Sequence, residues 1–434
     1  MKEPISTQPA PSEVKAVLRY PHMTERLYYH DSFLYEFDAE VLDLSASNPD
    51  SRPAVILDRT AFYPTSGGQV FDVGWIVPGE TKDGSNRLRV AEVTERENGQ
   101  ILHILENAGS IQKGNRIHGL IDVHRRRDHM QQHSGQHVLS AAFVRLFNLP
   151  TVSFHMGAES CSIDLDTKNL TTAQVEGAEA LANDVVMQNR VVRIRFVTQE
   201  EARGLGLRKI PPVERDQLRL IDVHDFDLTA CGGTHVSATG EIGCILLRKT
   251  EKTRQGWRVE FVCGKRAVST ARRDYAVLTE SGGLLSSHIW DVPQQVRKLQ
   301  EESRISRKSR EQLLEELADL YASRLLGETP ETGGRKIIVR TFPDRDLAFI
   351  KLLAQRLTRR SAGVVAFLGI TSDQPALVFA QSSGQPFDMG GLMKEILARL
   401  GGRGGGSKDM AQGGPAQVEG MEAALAELAA GLHE

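Results

Sequence analysis

Two short stretches of the chain, HSGQH at residues 133–137 and CGGTH at residues 231–235, each place two metal-binding side chains four positions apart. On a helix, positions i and i+4 lie on one face, so His133 and His137 can point at one ion. The two glycines of CGGTH permit a tight turn that aims Cys231 and His235 inward. Because three imidazoles and one thiolate suit Zn²⁺ in tetrahedral geometry, we predict one zinc ion per chain held by these four residues. The alternative is two unrelated pairs, with the histidines on a helix face and the cysteine in a core.

The composition is that of an ordinary globular protein, with 434 residues, 25% of them charged, and a formal net charge of −3. This length allows two to four domains with cores of their own. The four cysteines show no dense disulfide framework, so we expect a reduced, cytoplasmic protein. The sequence contains no apolar run of about 18 residues, which argues against a membrane partner.

The hydrophobic pattern predicts an α+β protein. Residues 1–22 are polar and contain proline, and we expect them to be a flexible extension. Residues 23–124 hold short alternating segments between turns, which predicts an N-terminal β-barrel. Residues 125–290 mix helices and strands and carry both metal-binding pairs, so we expect a zinc-containing α/β domain.

The rest of the chain predicts two further parts. Residues 291–330 form a long polar helical arm with a thin apolar stripe. Residues 331–434 form a C-terminal α/β domain in which GGRGGG is read as a glycine-rich loop. Within the metal-binding domain, a helix is expected from about Arg127, with Asp128 near its start, and a second helix is expected to be capped by Thr171 or Thr172.

Three motifs in order carry a resemblance to a known family. HSGQH followed by CGGTH is similar to the zinc pattern of the alanyl-tRNA synthetase editing domain. TAFYPTSGGQVFDVG, at residues 60–74, resembles the Gly-Gly-Gln segment of the barrel that precedes it in those enzymes. GGRGGGSKDMAQGG, at residues 401–414, resembles the signature of their C-terminal, DHH-associated domain. The whole arrangement resembles the long form of the freestanding alanyl-tRNA editing proteins of the AlaX type.

The resemblance implies a trans-acting deacylase. Such an enzyme hydrolyses the ester of tRNA specific for alanine that carries serine, or glycine, in error. A synthetase pocket shaped for alanine rejects a neighbour with one extra hydroxyl only ~10²-fold, so a second hydrolytic site is needed. The chain is too short, and begins too late, for a class II synthetase catalytic domain, so we expect hydrolysis without aminoacylation.

The resemblance also assigns roles near the ester. Thr60 matches a hydroxyl that recognises serine, although it also suits an ordinary strand position. Gly67 and Gly68 would admit the aminoacyl end close to the backbone, and Gln69 would offer its amide; a plain Gly-Gly turn is the alternative. Apart from the resemblance, Asp225 lies just before the CGGTH turn and is a candidate outer partner of a ligand histidine, with a solvated turn aspartate as the alternative. Four protein ligands close a tetrahedral site, so two possibilities stay open: the ion activates water, or it only organises the cleft.

Contacts to tRNA are expected at two places. The basic run Arg125, Arg126 and Arg127, together with Arg258, would meet phosphates near the editing cleft, although a solvated charge run is the ordinary interpretation. In the C-terminal domain we expect contacts at Arg403, Gly404 and Gly405, where a flexible loop is the alternative. A homodimer through the helical arm or the C-terminal domain is a further expectation.

Two other functions remain open from the sequence. One is a zinc-stabilised tRNA-binding protein without hydrolytic activity, which only an assay separates from the enzyme. The other is a DHH-type phosphoesterase relative, but the sequence offers only DHM, at residues 128–130, where that chemistry needs an Asp-His-His run.

Overall fold

The computed structural model describes residues 23–46, 52–79, 87–107, 109–208 and 217–432. The predicted flexible extension, residues 1–22, lies outside the described residues. The chain divides into two compact units, Met1–Val277 and Leu278–Glu434. The predicted barrel falls in the first unit, with the predicted metal-binding domain up to Val277. Residues 278–290 of that domain, the predicted arm and the predicted C-terminal domain fall in the second.

The first unit begins with a closed six-stranded barrel, as predicted. Its barrel order is β2-β3-β7-β6-β5-β8, with a short β1 paired in parallel to β4 outside it. These strands are β1 (Glu25–Arg26), β2 (Glu36–Ala46), β3 (Pro53–Leu57), β4 (Arg59–Thr60), β5 (Gly74–Pro78), β6 (Leu88–Glu95), β7 (Ile101–Leu105) and β8 (Arg116–Ile121). Strand β7, ILHIL, is buried along its whole length, which places His103 inside the protein.

A 25-residue helix, α1 (Val123–Phe147), follows the barrel directly. It begins earlier than the sequence predicted, because the carboxylate of Asp122 caps it by accepting from the backbone N–H groups of His124 and Arg125. Asp128 therefore lies in the second turn and not at the start. The helix ends at Asn148, whose left-handed backbone (φ 52°) is tolerated by asparagine. Both predicted ligand histidines lie on this one rigid element.

Two sheets and two helices complete the first unit, and a third helix crosses its boundary at Val277. Their bounds are β9 (Thr151–Met156), β10 (Cys161–Leu165), α2 (Thr172–Met187), β11 (Val192–Thr198), α3 (Gln199–Gly204), β12 (Gln217–Val223), β13 (Asp227–Ala230), β14 (Ile245–Lys252), β15 (Trp257–Cys263) and α4 (Gly264–Leu284). The strands form a four-stranded sheet, β14-β15-β10-β9, and a three-stranded sheet, β11-β12-β13. Thr171 caps α2 through a capping box with Gln174. Of the two cap positions that the sequence offered, Thr171 and Thr172, the structure uses the first.

The second unit is an α/β sandwich around one five-stranded sheet, β16-β17-β18-β20-β19. Its elements are α5 (Val292–Glu328), β16 (Lys336–Phe342), α6 (Leu347–Arg360), β17 (Val364–Ile370), β18 (Ala376–Gln381), α7 (Met389–Leu400), β19 (Gly402–Gly406), β20 (Met410–Pro415) and α8 (Met421–Ala430). One core packs α5 and α6 against the sheet, and a second core contains α7 and α8. The 37-residue α5 matches the predicted long helix, whereas its use as an arm stays a prediction.

The glycine-rich stretch is a strand and not the loop that the sequence predicted. Strand β19 pairs antiparallel with β20, with Gly404 opposite Gly413. A Cβ on Gly404 would lie 2.6 Å from the Gly413 Cα and 2.6 Å from Leu397 on α7. The absence of side chains thus allows this hairpin to pack closely against α7, and the glycines serve packing and not mobility.

Among the described residues, no helix combines the length and the apolar character needed to cross a bilayer. All four cysteines of the chain are free thiols, in agreement with the predicted lack of disulfides.

Candidate metal centre

The two predicted half-sites come together in the first unit. One ligand atom from each of His133, His137, Cys231 and His235 lies within 4.8 Å of the others, so these side chains could hold a metal ion. The two pairs come from different elements. His133 and His137 lie one helical turn apart on α1, and Cys231 and His235 follow β13 in the chain. The three histidines are buried, and Cys231 is partly exposed.

The imidazoles turn their Nε2 atoms toward the thiol. The Nε2 atoms of His133 and His235 lie 3.5 Å and 3.3 Å from the Cys231 Sγ. Burial alone would raise the pKa of Cys231, but the surrounding imidazoles lower that pKa well below its ordinary value. A thiolate at the centre of three imidazoles is the donor set that a divalent ion of the zinc type accepts.

Each imidazole has an oxygen near its other ring nitrogen, and two of these three contacts are hydrogen bonds. His133 Nδ1 lies 2.7 Å from Gln69 Oε1 and His235 Nδ1 lies 3.1 Å from Ser134 Oγ. His137 Nδ1 lies 3.6 Å from Asp227 Oδ2, an ion-pair distance that is too long for a hydrogen bond. An oxygen beside Nδ1 favours a proton there and leaves the Nε2 lone pair free for an ion. The arrangement therefore fits a metal site with oriented ligands, and does not fit two unrelated pairs.

Gln69 connects the barrel to the CGGTH turn. Its side chain is fully buried, and its Oε1 accepts from the Thr234 backbone N–H at 3.1 Å while its Nε2 donates to the Thr234 Oγ1 at 2.9 Å. A Cβ on Gly233 would lie 2.1 Å from the His133 ring and 2.9 Å from the Gln69 Oε1, so this position requires glycine. In this structure the Gln69 amide holds the metal turn, and its predicted bond to substrate stays a prediction.

The Gly-Gly pair lies against β9. Gly67 and Gly68 have left-handed backbones with φ of 58° and 86°. A Cβ on Gly68 would lie 2.4 Å from the Phe154 carbonyl oxygen, and its own carbonyl accepts from the Met156 N–H at 3.1 Å. The Phe154 ring in turn stacks on the His133 ring, with centroids 5.4 Å apart. The turn thus brings the barrel edge next to the metal cluster, as the resemblance implied.

Thr60, the last residue of β4, bonds to a residue of the barrel strand β7 and is 0% exposed. Its Oγ1 accepts from the Phe62 N–H at 3.0 Å and lies 2.7 Å from the His103 Nε2. Because the His103 Nδ1 is 3.2 Å from the Val55 carbonyl, we assign the ring proton to Nδ1, and Thr60 donates to Nε2. His103 was missed by the sequence reasoning, since one histidine within an apolar strand carries no pattern.

The carboxylate behind His137 is Asp227 and not the predicted Asp225. Asp225 is exposed, with its side chain 81% accessible, whereas the Asp227 side chain is 2% accessible. Arg208 holds Asp227 from the other side with two bonds of 2.7 and 2.9 Å. Both aspartates belong to HDFD, but Asp227 opens β13 and faces inward while Asp225 lies in a left-handed turn.

The predicted phosphate-binding arginines differ in their availability. Arg126 is 0% exposed, paired with the equally buried Asp72, and also bonded to the carbonyls of Ser32 and Ala61, so it cannot meet a phosphate. This residue joins α1 to the barrel, which corrects the prediction. Of its neighbours, Arg125 is partly buried and donates to a carbonyl, whereas Arg127 is exposed.

Arg258 and Arg403 remain accessible. Arg258 makes two bonds to Asp164, of 2.7 and 2.9 Å, and its side chain is 38% exposed. In the second unit, Arg403, Gly404 and Gly405 line a cavity of about 620 Å³. Contacts from these residues to tRNA stay a prediction.

Three family models match the chain in order. They are tRNA synthetases class II (A) over residues 4–125, the threonyl and alanyl tRNA synthetase second additional domain over residues 218–260, and the DHHA1 domain over residues 334–434. The second covers Cys231 and His235 but not His133 or His137, and the third lies within the second unit.

Curated relatives match almost the whole chain. The alanyl-tRNA editing protein AlaX-L of Pyrococcus horikoshii is 32% identical over 90% of this chain and 94% of its own length. The alanine–tRNA ligases of Archaeoglobus fulgidus and Pyrococcus furiosus are 32% and 31% identical over 92% and 94% of this chain, which spans 43% and 44% of their lengths. The likeness to the first relative covers both chains nearly end to end, so this chain belongs to the AlaX-L family of alanyl-tRNA editing proteins.

Proposed function

We propose that this protein is a trans-acting deacylase that hydrolyses the ester of tRNA specific for alanine when that tRNA carries serine, or glycine, in error. The observation that carries the proposal is the cluster of three histidines and one cysteine, held by Gln69 from the barrel. In an AlaX-L relative, such a site placed beside the Gly-Gly turn suits the entry of an aminoacyl end. The Ser and Gly substrates are inferred from the family resemblance.

The metal that we propose is Zn²⁺, one per chain, with His133, His137, Cys231 and His235 as its ligands. A bound zinc ion supplies Lewis-acid polarisation of an oxygen, or structural support alone. The residues of the chain orient the site: Gln69 and Ser134 each hold one imidazole by a hydrogen bond, and the buried Asp227 carboxylate lies 3.6 Å from the third. Gly68 closes against Phe154, whereas Gly67 is exposed with nothing within 4 Å of its Cβ position, so the ester would approach the backbone at Gly67.

Serine recognition is proposed for Thr60. Its hydroxyl hydrogen is directed at His103, so Thr60 would accept a hydrogen bond from the serine hydroxyl and not donate one. Alanine has no hydroxyl with which to make that bond, which is how the site would spare correctly charged tRNA. Because Thr60 is fully buried, this contact requires the groups that cover its hydroxyl to move when the aminoacyl end binds.

The second unit is proposed to bind tRNA away from the ester through the cavity at Arg403. Replacing Arg403 by alanine should weaken binding and reduce the salt slope by about one. A homodimer through α5 or the second unit, and a cytoplasmic location, remain part of the proposal.

The experiment that tests the function is deacylation of seryl-, glycyl- and alanyl-tRNA specific for alanine by the full chain, before and after metal removal by a chelator. We expect hydrolysis of the seryl ester, slower hydrolysis of the alanyl ester, and loss of both after chelation. Tight tRNA binding by the zinc-loaded protein without hydrolysis would favour the non-catalytic alternative. The phosphoesterase alternative finds no support: within the described ranges, these four residues are the only group of three or more His, Cys, Asp or Glu placed to share an ion.

A further inference from the structure

Two exposed aromatic rings lie together on the first unit. Phe196 on the edge strand β11 is 40% exposed, and His30 is exposed as well. Their ring centroids are 5.1 Å apart, and the ring planes are inclined by 31°. This short stack leaves flat aromatic surface open to solvent, where another planar group can extend it.

The stack is continuous with the metal turn. Arg219 on β12 is the direct cross-strand partner of Phe196. Its Nε donates to the carbonyl of Tyr29, next to His30, at 2.8 Å, and its Nη1 donates to the carbonyl of Cys231 at 2.6 Å. Arg219 therefore joins three places: it pairs with Phe196 across the sheet, it bonds to the residue before His30, and it bonds to Cys231.

A positive charge lies beneath the stack. The bonds of Arg219 that are described go to two carbonyl oxygens, and its buried Nη2 has no hydrogen-bond partner in the described part of the chain. The Tyr29 hydroxyl accepts from Arg26 at 2.7 Å, and a Cβ on the exposed Gly232 would lie 3.3 Å from that hydroxyl. Arg26 is also paired with Glu95, so the Tyr29 ring, with both bonded guanidinium groups beside it, links the segment that carries His30 to the CGGTH turn.

This combination suits a single-stranded nucleic acid. Bases stack on aromatic rings whatever their sequence, so an exposed pair of rings can hold a base without reading its identity. A peptide or a small acid would need a free cation, and the two guanidinium groups beside the rings are already bonded, Arg219 to carbonyl oxygens and Arg26 to Glu95.

We propose that Phe196 and His30 form a stacking subsite for a nucleobase of the single-stranded 3′ end, whose terminal ribose carries the ester. The inference rests on the proposed deacylase function and names the part of the substrate that this surface holds. It gives the 3′ end a path from the stack, past Tyr29 and Gly232, to the metal turn.

The test compares Phe196→Leu with Phe196→Tyr in the full, zinc-loaded protein. Leucine keeps apolar bulk without a ring, whereas tyrosine keeps the ring. We expect Phe196→Leu to raise KM for seryl-tRNA about 5- to 100-fold, with kcat nearly unchanged, and Phe196→Tyr to stay within about twofold of the original. His30→Ala should change KM in the same direction by a smaller factor.

The matched control is Trp75→Leu. Trp75 on β5 also has a partly exposed ring with an arginine beside it, since the Arg89 guanidinium lies 4.5 Å from its centroid. Removing this ring should leave KM unchanged. Zinc content and thermal unfolding of every variant show whether the fold and the metal site are retained.

A second comparison uses a seryl-tRNA that lacks the base of its terminal nucleotide, and another that lacks the base before it. If the subsite holds one of these bases, removing that base should raise KM for the original protein. The same removal should hardly change KM for Phe196→Leu, which has already lost the ring. Equal KM values for Phe196→Leu and the original protein would overturn the subsite. So would a result in which removing either base raises KM for Phe196→Leu as much as it does for the original protein. Absence of seryl-tRNA hydrolysis by the original protein would instead overturn the deacylase function.

Discussion

The Oε1 of Gln69 on the barrel lies 2.7 Å from the Nδ1 of His133 on α1. The same oxygen accepts from the Thr234 N–H, so one amide fixes a histidine ligand and the turn that carries two other ligands. The metal cluster therefore depends on a residue 64 positions before the first ligand, from a different substructure.

We expect Gln69→Leu to lower zinc affinity about 10- to 100-fold, because the His133 ring loses the acceptor that orients it. Gln69→Glu keeps an acceptor oxygen and should retain most of the affinity. The measurement is zinc competition against a chromophoric chelator. Gln136→Leu is the control. The Gln136 amide is buried like that of Gln69, but it lies on α1 and donates to Ser140. Equal affinities for Gln69→Leu and the original protein would contradict the orienting role.

A second prediction concerns the buried pair Arg126–Asp72. Arg126→Met should lower the free energy of unfolding by about 3–5 kcal/mol, because it leaves the Asp72 carboxylate buried without its partner. Replacing both residues, as in Arg126→Met with Asp72→Leu, should restore part of that loss. Arg127→Ala, at an exposed position, should change stability by less than about 0.5 kcal/mol. Denaturant unfolding measures all three, and a small effect of Arg126→Met alone would show that the pair is dispensable.

Burial of His103 gives a pH dependence. Desolvation lowers the pKa of His103 to about 4, so the folded protein keeps the ring neutral where the unfolded chain, with an ordinary pKa near 6.5, already binds a proton. Between about pH 6.5 and 4 the unfolded state binds more protons, so stability falls as the pH is lowered through this range, by about 3 kcal/mol in all. Below the pKa of the folded state, His103 is protonated in both states, so it no longer changes the unfolding free energy as the pH falls further.

The matched variant is His103→Gln, which offers an amide to Thr60 and does not titrate. We expect the unfolding free energy of this variant to fall less steeply than that of the original protein as the pH is lowered from 6.5 to 4, because the contribution of His103 is gone. An unchanged slope would mean that other groups dominate acid destabilisation.

The four residues that could hold a metal ion were predictable because their spacing is local: His133 and His137 are one helical turn apart, and Cys231 and His235 frame a glycine turn. The capping box at Thr171 was predictable for the same reason. Asp227 and Asp225 could not be told apart, since their difference lies in which way β13 faces. Arg126 looks like its two neighbours in sequence, and only the barrel packed against α1 reveals its partner. Strand β19 was missed because its glycines lack the side chains by which strands are recognised, and pairing with β20 is not local.

The last prediction separates two roles of Thr60. Thr60→Val keeps shape and volume but removes the hydroxyl, leaving the His103 Nε2 and the Phe62 N–H without their buried partner, so we expect a stability loss of about 1–3 kcal/mol. If Thr60 also accepts a bond from the serine hydroxyl, the variant should hydrolyse seryl-tRNA about 5- to 150-fold more slowly and alanyl-tRNA no more slowly than before. Zinc content should not change, because Thr60 belongs to the barrel and is not a ligand. Single-turnover deacylation of both esters at a temperature where both proteins are folded makes the comparison. Equal losses on the two esters would limit Thr60 to supporting the barrel, and an unchanged serine preference would transfer recognition to another group that reaches the ester.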